Sequence, residues 1–559
     1  MLESKIQVHI HGGEQIGQVH VCGTMYDNQV KHDLSVVASR LSVLRGKELR
    51  QFLDRANGFF SIVSNDGKSG WMAVDRIRSF PLFYGLHKGC LFISNEARWI
   101  KQQVDDYKPD SLSCDEFLLT GFVTGKDTLF SAVKQVRPGE VVFFSTDEAC
   151  NVNIGSMFYS NYHSSSSLED SQEELSQKLD GVLVDVFRRL VSYANGRTII
   201  VPLSGGYDSR LIVLMLKKLR YDNIITFSYG KPRNQESIIS KFVAGELGVR
   251  WKFVAYSEAL WHQWYRSQEI RAYFDYADGL TSLPHIQDWP AVWLLKKKGE
   301  IPNNTIFVPG ISADLNTGGF IKKYPDIYKQ TASKQHLLEL ILDYSYNLFP
   351  FDSIPKISQL MIRQKVIDII TGEPYSGSIG ENFECWVSLE KVAKFIVNSV
   401  RAYEFFGFSW WLPFWDKDFV DFWYNVPHSF RQNQELYKTC ITKITRELDV
   451  FRNIDPLFRD GNLRVHSRLE FRANKDLMQL AGRRILIPIA KTILPNTLKS
   501  LLYSTIQIRK AFNHPLAWYG VHEKERIVEQ IRNGASNINS ILVDDYISMM
   551  CMHRDRENV

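Results

Sequence analysis

The sequence predicts an α/β protein in two parts, a sheet-rich N-terminal domain and a parallel-sheet domain that continues into a helical extension. Three observations carry this. Up to about residue 160, the runs QVHVCGTMY, NGFFSIVSND, GWMAVD, CLFISNE and PGEVVFFS are short, β-branched or aromatic, and punctuated by Gly, Asn and Asp, as strands joined by turns are. Beyond it, apolar strands alternate with amphipathic helices, the pattern of a parallel sheet. Between the two, YHSSSSLEDSQEE has linker composition. The chain is accordingly divided into 1–160, a Ser-rich connector at 161–177, a second domain at 178–455 and a basic helical extension at 456–559.

Composition excludes several classes. A net charge of +5 on 559 residues gives no reason to expect nucleic-acid binding. Seven cysteines, odd in number and without a CxxC pair, argue against a disulfide framework or zinc ribbon and fit a reducing cytoplasm. MLESKIQVHI has no export signal, and no window reaches the roughly 18 apolar residues of a membrane span. The basic excess sits at 464–510, with ten Lys or Arg against two acidic residues. Its segment 479–505 mixes apolar runs with cations, which suits a buried helical hairpin with a solvated basic rim, or peripheral contact with the inner face of a membrane.

The most informative stretch is VPLSGGYDSRLIVLML, residues 201–216. TIIVPL reads as a strand, SGGYDS as a turn and RLIVLMLKKL as a buried helix. At such a turn Gly205 and Gly206 let backbone N–H groups approach an anion, and the helix N-terminus adds free donors and a positive dipole end. Ser204 and Ser209 add hydroxyls, while Asp208 would repel phosphate unless a divalent cation lay between them, which suggests Mg2+. The alternative is a plain βα turn whose Ser and Asp only cap the helix. NIITFSYG, NQESIISKFVAGELG and RWKFVAYS continue as strand, helix and strand, so the turn stands at the carboxyl end of a parallel strand, where ligands bind in open α/β sheets.

SGGYDS after a hydrophobic strand resembles the SGGxDS pyrophosphate loop of the N-type ATP pyrophosphatases. VPGISADLNTGGF resembles the GxGxDExxxGG motif of asparagine synthetases, and LPFWDKDFVDFWYNVP their PFLDxxLVEFxxxLP segment. NGFFSIVSND, DRIRSFPLFYG, SNEARWI and GFVTGKDTLFSAVKQVRPGEVV resemble the glutaminase domain of the same family, so the likeness spans about residues 20–430. It implies an Ntn-hydrolase-like αββα remnant followed by an adenine-nucleotide α-hydrolase-like synthetase domain. It further implies that ATP activates a carboxylate as an acyl-adenylate, releasing pyrophosphate, and that ammonia or an amine then displaces AMP. By motif position Asp208 and Asp314 would be the catalytic magnesium ligands. Leu203, Ser204, Gly205, Gly206, Ser209, Ser228 and Gly310 would surround the nucleotide.

The departures matter as much. Family glutaminases use an N-terminal cysteine, but residue 2 is Leu and Cys22 sits inside a strand-like run, which reads as core, so glutamine hydrolysis is not expected. Asn57, Gly58, Asp75 and Arg76 keep motif positions that need only hold turns and caps. Two family glutamates are replaced by Ile311 and Leu315, and GxExRxPF has become GFSWWLPF, with Ser409 and Trp411 at its Glu and Arg positions. Those two residues, with His285 and Asp288 of PHIQDWPAVW, are candidates to shape an acceptor pocket. The family's late active-site Lys has no clear counterpart. Arg459 and Arg464 are candidates for a cation beside the pyrophosphate, with Lys438 read as a solvated helix face. SGGYDSRLI, HPLAWYG and NINSIL also resemble asparagine-synthetase-like proteins of bacterial capsule and O-antigen clusters, which points to amidation of a uronic acid in surface polysaccharide synthesis. Asparagine synthesis with ammonia, internal amide closure as in β-lactam synthetases and lasso-peptide cyclases, and a non-catalytic pseudo-synthetase stay open. A homodimer is compatible with the sequence.

Overall fold

Alternating apolar residues fold the N-terminal block into two stacked sheets. The computed structural model describes residues 5–27, 29–160, 162, 169–328, 333–451 and 496–552. In chain order the N-terminal strands are β1 (Ile6–His9), β2 (Glu14–Ile16), β3 (Val19–Asp27), β4 (Val30–Lys31), β5 (Asn57–Asn65), β6 (Ser69–Val74), β7 (Phe83–His87), β8 (Cys90–Ser94), β9 (Lys134–Gln135), β10 (Glu140–Thr146) and β11 (Val152–Phe158). One sheet has the order β1-β8-β7-β9, and the other β11-β10-β6-β5-β3-β2 with β4 paired to β3. Val63, Met72, Val74, Val142 and Phe144 of the larger sheet meet Tyr84, Leu91 and Ile93 of the smaller in a buried layer. On its other face Val21, Met25, Phe60 and Ile62 pack against Val37, Leu41, Leu49 and Leu53 of two helices, Leu34–Val43 and Gly46–Arg55. The helix Ala97–Gln103 covers the smaller sheet through Ile100, completing an αββα stack.

The second sheet is parallel throughout. Its strands are β12 (Ile199–Pro202), β13 (Ile224–Gly230), β14 (Arg250–Ala255), β15 (Ile306–Phe307) and β16 (Ser409–Trp410), in the order β14-β13-β12-β15-β16. After β12 the chain builds outward through β13 and β14, then returns to place β15 on the other flank of β12. The order therefore reverses between β12 and β15, which opens a crevice at their carboxyl ends. The helix Gln172–Ala194 leads into β12 and begins inside the predicted connector, fixed by a capping box between Ser171 and Glu174. The described part of the extension is helical: Asn496–Phe512, Lys524–Arg532 and Ile538–Met552. It is tied back by hydrogen bonds from Trp261 Nε1 to the Leu516 carbonyl (2.7 Å) and from Ser540 Oγ to the Leu348 carbonyl (2.6 Å). Most of the basic segment, including Arg459, Arg464 and residues 479–495, lies outside the described residues. Among those described, no helix is long and apolar enough to cross a membrane.

One buried carboxylate joins the two parts. Asp416, the residue after PFW, is 1% exposed and accepts both forks of Arg189, Nε to Oδ2 and Nη2 to Oδ1, each at 2.7 Å. Oδ1 also accepts from Asn57 Nδ2 of β5 (3.0 Å) and from the Asp418 amide (3.0 Å), which caps the helix Lys417–Asn425. Asn57 returns a bond, its Oδ1 accepting from the Lys417 amide at 3.0 Å. Arg76 adds a second bridge, reaching Asp421 of that helix at 3.0 Å and Asp54 at 3.1 Å. Asn57 and Arg76 thus do more than hold turns. Removing the carboxylate takes the bidentate partner from a buried guanidinium, leaving it Asp418 Oδ2 at 2.7 Å, so Asp416→Ala should cost about 3–5 kcal/mol by chemical denaturation. Ser409→Ala, which loses only a 3.4 Å contact from Arg197, should stay within about 0.5 kcal/mol. A loss below about 1 kcal/mol for Asp416→Ala would show that the junction does not depend on it.

Candidate active site

The SGGYDS turn is closed on itself by its hydroxyls. The Gly206 amide donates to Ser204 Oγ and the Ser204 amide to Ser209 Oγ, both at 3.1 Å, and the two hydroxyls lie 3.2 Å apart. Leu203 is fully buried, its amide bonded to the Phe227 carbonyl (2.8 Å), which locks the turn to β13. Gly206 stands at the N-cap of the helix Tyr207–Lys218, with no side chain capping its first turn. A helix N-terminus without a side-chain cap is the kind of backbone site at which anions bind.

Pairing of β15 with β12 brings the Gly310 loop against this helix. A Cβ on Gly310 would lie 2.7 Å from the Ser209 nitrogen and 3.0 Å from Asp208 Cβ, so only glycine allows the approach. Asp314 opens the helix Ala313–Asn316 just beyond, and its carboxylate raises the pKa of Asp208. Burial is the larger cause, and together they push Asp208 up to about 7, against the lowering influence of Tyr437 and the Asp314 amide. Asp314 is solvent-accessible yet ringed by protein, and that surround raises its pKa too. Tyr437, on the helix Glu435–Glu447 and fully buried, donates to Asp208 Oδ1 at 3.0 Å. No motif marks Tyr437 in the sequence, where it is one residue of an amphipathic helix. Lys438, its neighbour, has its ammonium 5.9 Å from the centre of the Tyr207 ring. The helix face read as solvated therefore borders the SGGYDS turn.

Two tight backbone positions shape the Asp314 side. Ser312 adopts φ 62°, a left-handed conformation at a motif glycine position. Gly318 has φ +97°, and a Cβ there would lie 2.3 Å from the Arg431 carbonyl oxygen. Arg431 is itself buried and salt-bridged to Glu384 at 2.9 Å.

The remaining predicted residues fall in three places. His285 and Asp288 stay at the carboxyl end of the sheet, where Gln287 Nε2 donates to the hydroxyl of Tyr229 near the end of β13 (3.1 Å). Asp288 Oδ2 accepts from Tyr403 at 2.6 Å, while Asp288 Oδ1 and His285 Nδ1, 3.7 Å apart, have no hydrogen-bond partner among the described residues. Ser228 is buried, its hydroxyl accepting from Ser240 (3.0 Å) inside the packing of β13 on the helix Gln235–Glu246, so the hydroxyl faces that packing. Ser409 and Trp411 do not shape an acceptor pocket. Ser409 lies beside Arg197 at the amino end of the sheet, opposite the SGGYDS turn. Trp411 is 2% exposed, with ring centroids 4.6 Å from Tyr193 and 4.8 Å from Phe59, because the edge strand β16 faces the N-terminal domain and its aromatic residues fill that junction.

Two domain models match parts of the chain. The glutamine amidotransferase domain model matches residues 35–153, starting downstream of Cys22, and the asparagine synthase model matches residues 185–272, including SGGYDS. No curated protein matches the chain. Among solved structures it is similar to an NH3-dependent NAD synthetase from Campylobacter jejuni subsp. jejuni NCTC 11168, with 11% identity and TM-score 0.19 over 37% of this chain and 98% of that one. It is also similar to an NMN synthetase from Francisella tularensis (16% identity, TM-score 0.19, 39% of this chain and 93% of that one). A glutamine phosphoribosylpyrophosphate amidotransferase from B. subtilis gives 10% identity and TM-score 0.18 over 54% of this chain and 63% of that one. At these TM-scores the likenesses carry no argument, and the assignment rests on the matched domains. They define an ATP-dependent ligase with an amidotransferase-type domain in front of it. The two matched models are the glutamine amidotransferase and asparagine synthase domains, in the order the sequence motifs predict.

Two measurements check the geometry. Gly318→Ala should destabilise the fold by about 2–4 kcal/mol, since it combines a left-handed φ with a backbone clash, whereas Ser312→Gly should be neutral to about 1 kcal/mol stabilising. Equal effects in thermal denaturation would contradict the local backbone. Because the folded pKa of Asp208 is raised, the metal-free native state holds a proton that the unfolded chain has lost, between about pH 4 and 7. Its stabilising contribution is complete below that window and is lost as pH rises through about 7, by something like 2 kcal/mol after allowance for solvent in the crevice. Asp208→Asn should flatten this slope in urea titrations, and an unchanged slope would rule out Asp208 as its source.

Proposed function

We propose that the crevice between β12 and β15 activates a carboxylate with ATP and that ammonia or an amine then attacks the activated acid to form an amide. The observation carrying this is the meeting of Asp208 and Asp314 at the uncapped N-terminus of the SGGYDS helix. Two carboxylates whose pKa values are raised, Asp208 by burial and the charge of Asp314 and Asp314 by burial, form a hard-oxygen pair, the donor type that Mg2+ combines with substrate phosphates. When bound there, Mg2+ would supply charge neutralisation at the phosphates. The chain's own residues do the rest. Amides of the first helical turn and the Ser204 and Ser209 hydroxyls hold the departing pyrophosphate, Tyr437 orients Asp208, and Lys438 supplies a cation at the mouth of the turn.

The N-terminal domain, in this reading, is retained as structure. Cys22 lies mid-strand, paired with Ser61 and 6% exposed. The N-terminal segment covers it: a Cβ on Gly13 would stand 2.6 Å from its Sγ. Burial raises its thiol pKa, so neither thiolate nor free α-amine is offered to glutamine. Leu315 is buried and Ile311 apolar, so neither motif position provides a base. The amine must arrive already nucleophilic. We take the acceptor to be a sugar acid such as a uronic acid, in bacterial surface-polysaccharide synthesis, and the enzyme to be cytoplasmic, with residues 479–505 approaching the membrane face.

Pyrophosphate release from ATP and Mg2+ should be screened with uronic acids, nucleotide-linked uronic acids and aspartate, each with ammonia, glutamine or amino acids. Uronic-acid turnover with ammonia is expected, together with a loss of about 100-fold or more in Asp208→Asn and of at least about tenfold in Lys438→Ala. Turnover by aspartate would make it an asparagine-forming enzyme, and turnover driven by glutamine would overturn the reading of Cys22. Full activity of Asp208→Asn would sink the proposed site.

A further inference from the structure

Beyond Asp314 the chain builds a second polar cluster that the activation chemistry does not use. Lys323 closes the helix Gly319–Lys323, and its ammonium lies 4.9 Å from the ring centre of Tyr324 and 5.1 Å from that of Tyr344. Lys391 comes from the helical segment Val387–Ile396, with its ammonium 4.1 Å from the same Tyr344 ring and 3.3 Å from the Tyr344 carbonyl, to which it donates. Two ammonium groups therefore share one phenol ring. The helix that carries Lys323 starts against Asp314, since a Cβ on its first residue, Gly319, would lie 2.9 Å from the Asp314 carbonyl oxygen, and the charge of Asp314 adds to burial in raising the phenol pKa of Tyr344.

Among the described residues, neither lysine is paired with a carboxylate. The acids on neighbouring turns are engaged elsewhere: Glu390 with Lys394 (2.5 Å) and the Gly125 amide (3.0 Å), and Glu384 with Arg431 and Tyr328. Lys323 is exposed and Lys391 half-buried, and burial, then the charge of Lys323, lower the pKa of Lys391 to about 8. Cation–π contact returns roughly 0.5–2 kcal/mol per ammonium but leaves both charges uncompensated. A cluster of this kind is suited to a ligand that brings negative charge.

We propose that Lys323 and Lys391 bind a second anionic group of the acid substrate, so that the acceptor carries a phosphate ester or similar dianion in addition to the carboxylate that is activated. This rests on the nucleotide reading of the Asp208–Asp314 crevice. The triphosphate has its own donors at the SGGYDS turn and Lys438, whereas the lysine pair stands on the Asp314 side, next to Tyr344.

The test is calorimetric binding of three probes, ATP–Mg2+, glucuronic acid and glucuronic acid 1-phosphate, to the wild type and to Lys323→Gln, Lys391→Gln and the double variant, each with a melting curve. The wild type should bind the phosphorylated acid at least about tenfold more tightly than the plain acid. The double variant should lose that preference while its melting temperature holds within about 2 °C and its ATP–Mg2+ affinity within about twofold. Equal affinity for the two acids, binding of neither, or an unchanged preference in the double variant overturns the proposal. So does a parallel fall in ATP–Mg2+ affinity, which would give the lysines to the triphosphate. A wild type that takes the phosphorylated acid through these lysines but no ATP–Mg2+ would sink the nucleotide reading and leave the lysine site standing.

Discussion

The buried charge of Asp416 is the constraint to which the rest of the architecture answers. A carboxylate removed from water is tolerable only where its oxygens are taken up, and here a bidentate guanidinium, a side-chain amide and a helix-capping amide do so. Each partner comes from a different part of the chain. Arg189 belongs to the helix that leads into β12, Asn57 to β5 of the N-terminal domain, and Asp416 itself follows β16 at the edge of the parallel sheet. One cluster therefore sets the position of the nucleotide-facing sheet relative to the αββα domain.

The same junction explains what has become of the first domain. Trp410 and Trp411 pack with Phe59, Phe80, Tyr26 and Tyr193, filling the space between the domains with rings in edge and tilted contacts. The first domain has a structural role in its own right: it supplies Asn57, Arg76 and an aromatic wall to the edge of the parallel sheet.

At the crevice, strand order brings together chemistry that is remote in the chain. Gly310 is small enough for its loop to lie against the N-terminus of the SGGYDS helix, which sets Asp314 near enough to Asp208 to raise its pKa. On the proposed reading, the carboxylate pair takes a cation and the lysines over Tyr344 take an anionic group of the acid substrate.

The sequence by itself determined the two-part α/β fold, the SGGYDS cradle and the candidacy of Asp208 and Asp314. Strand periodicity, glycine turns and motif order are local properties, and local physics writes them into short stretches of residues. Tertiary structure alone decided the rest. Lys438 read as a solvated helix face and Tyr437 carried no motif until packing set their helix beside the SGGYDS turn, and Lys323 and Lys391 are brought to one ring from separate segments. Trp411 looked like a pocket residue, yet β16 lies at the sheet edge against the first domain, so its ring is core. Which side chains meet across a crevice depends on strand order and domain docking, and these arise from contacts distant in sequence that no short motif encodes.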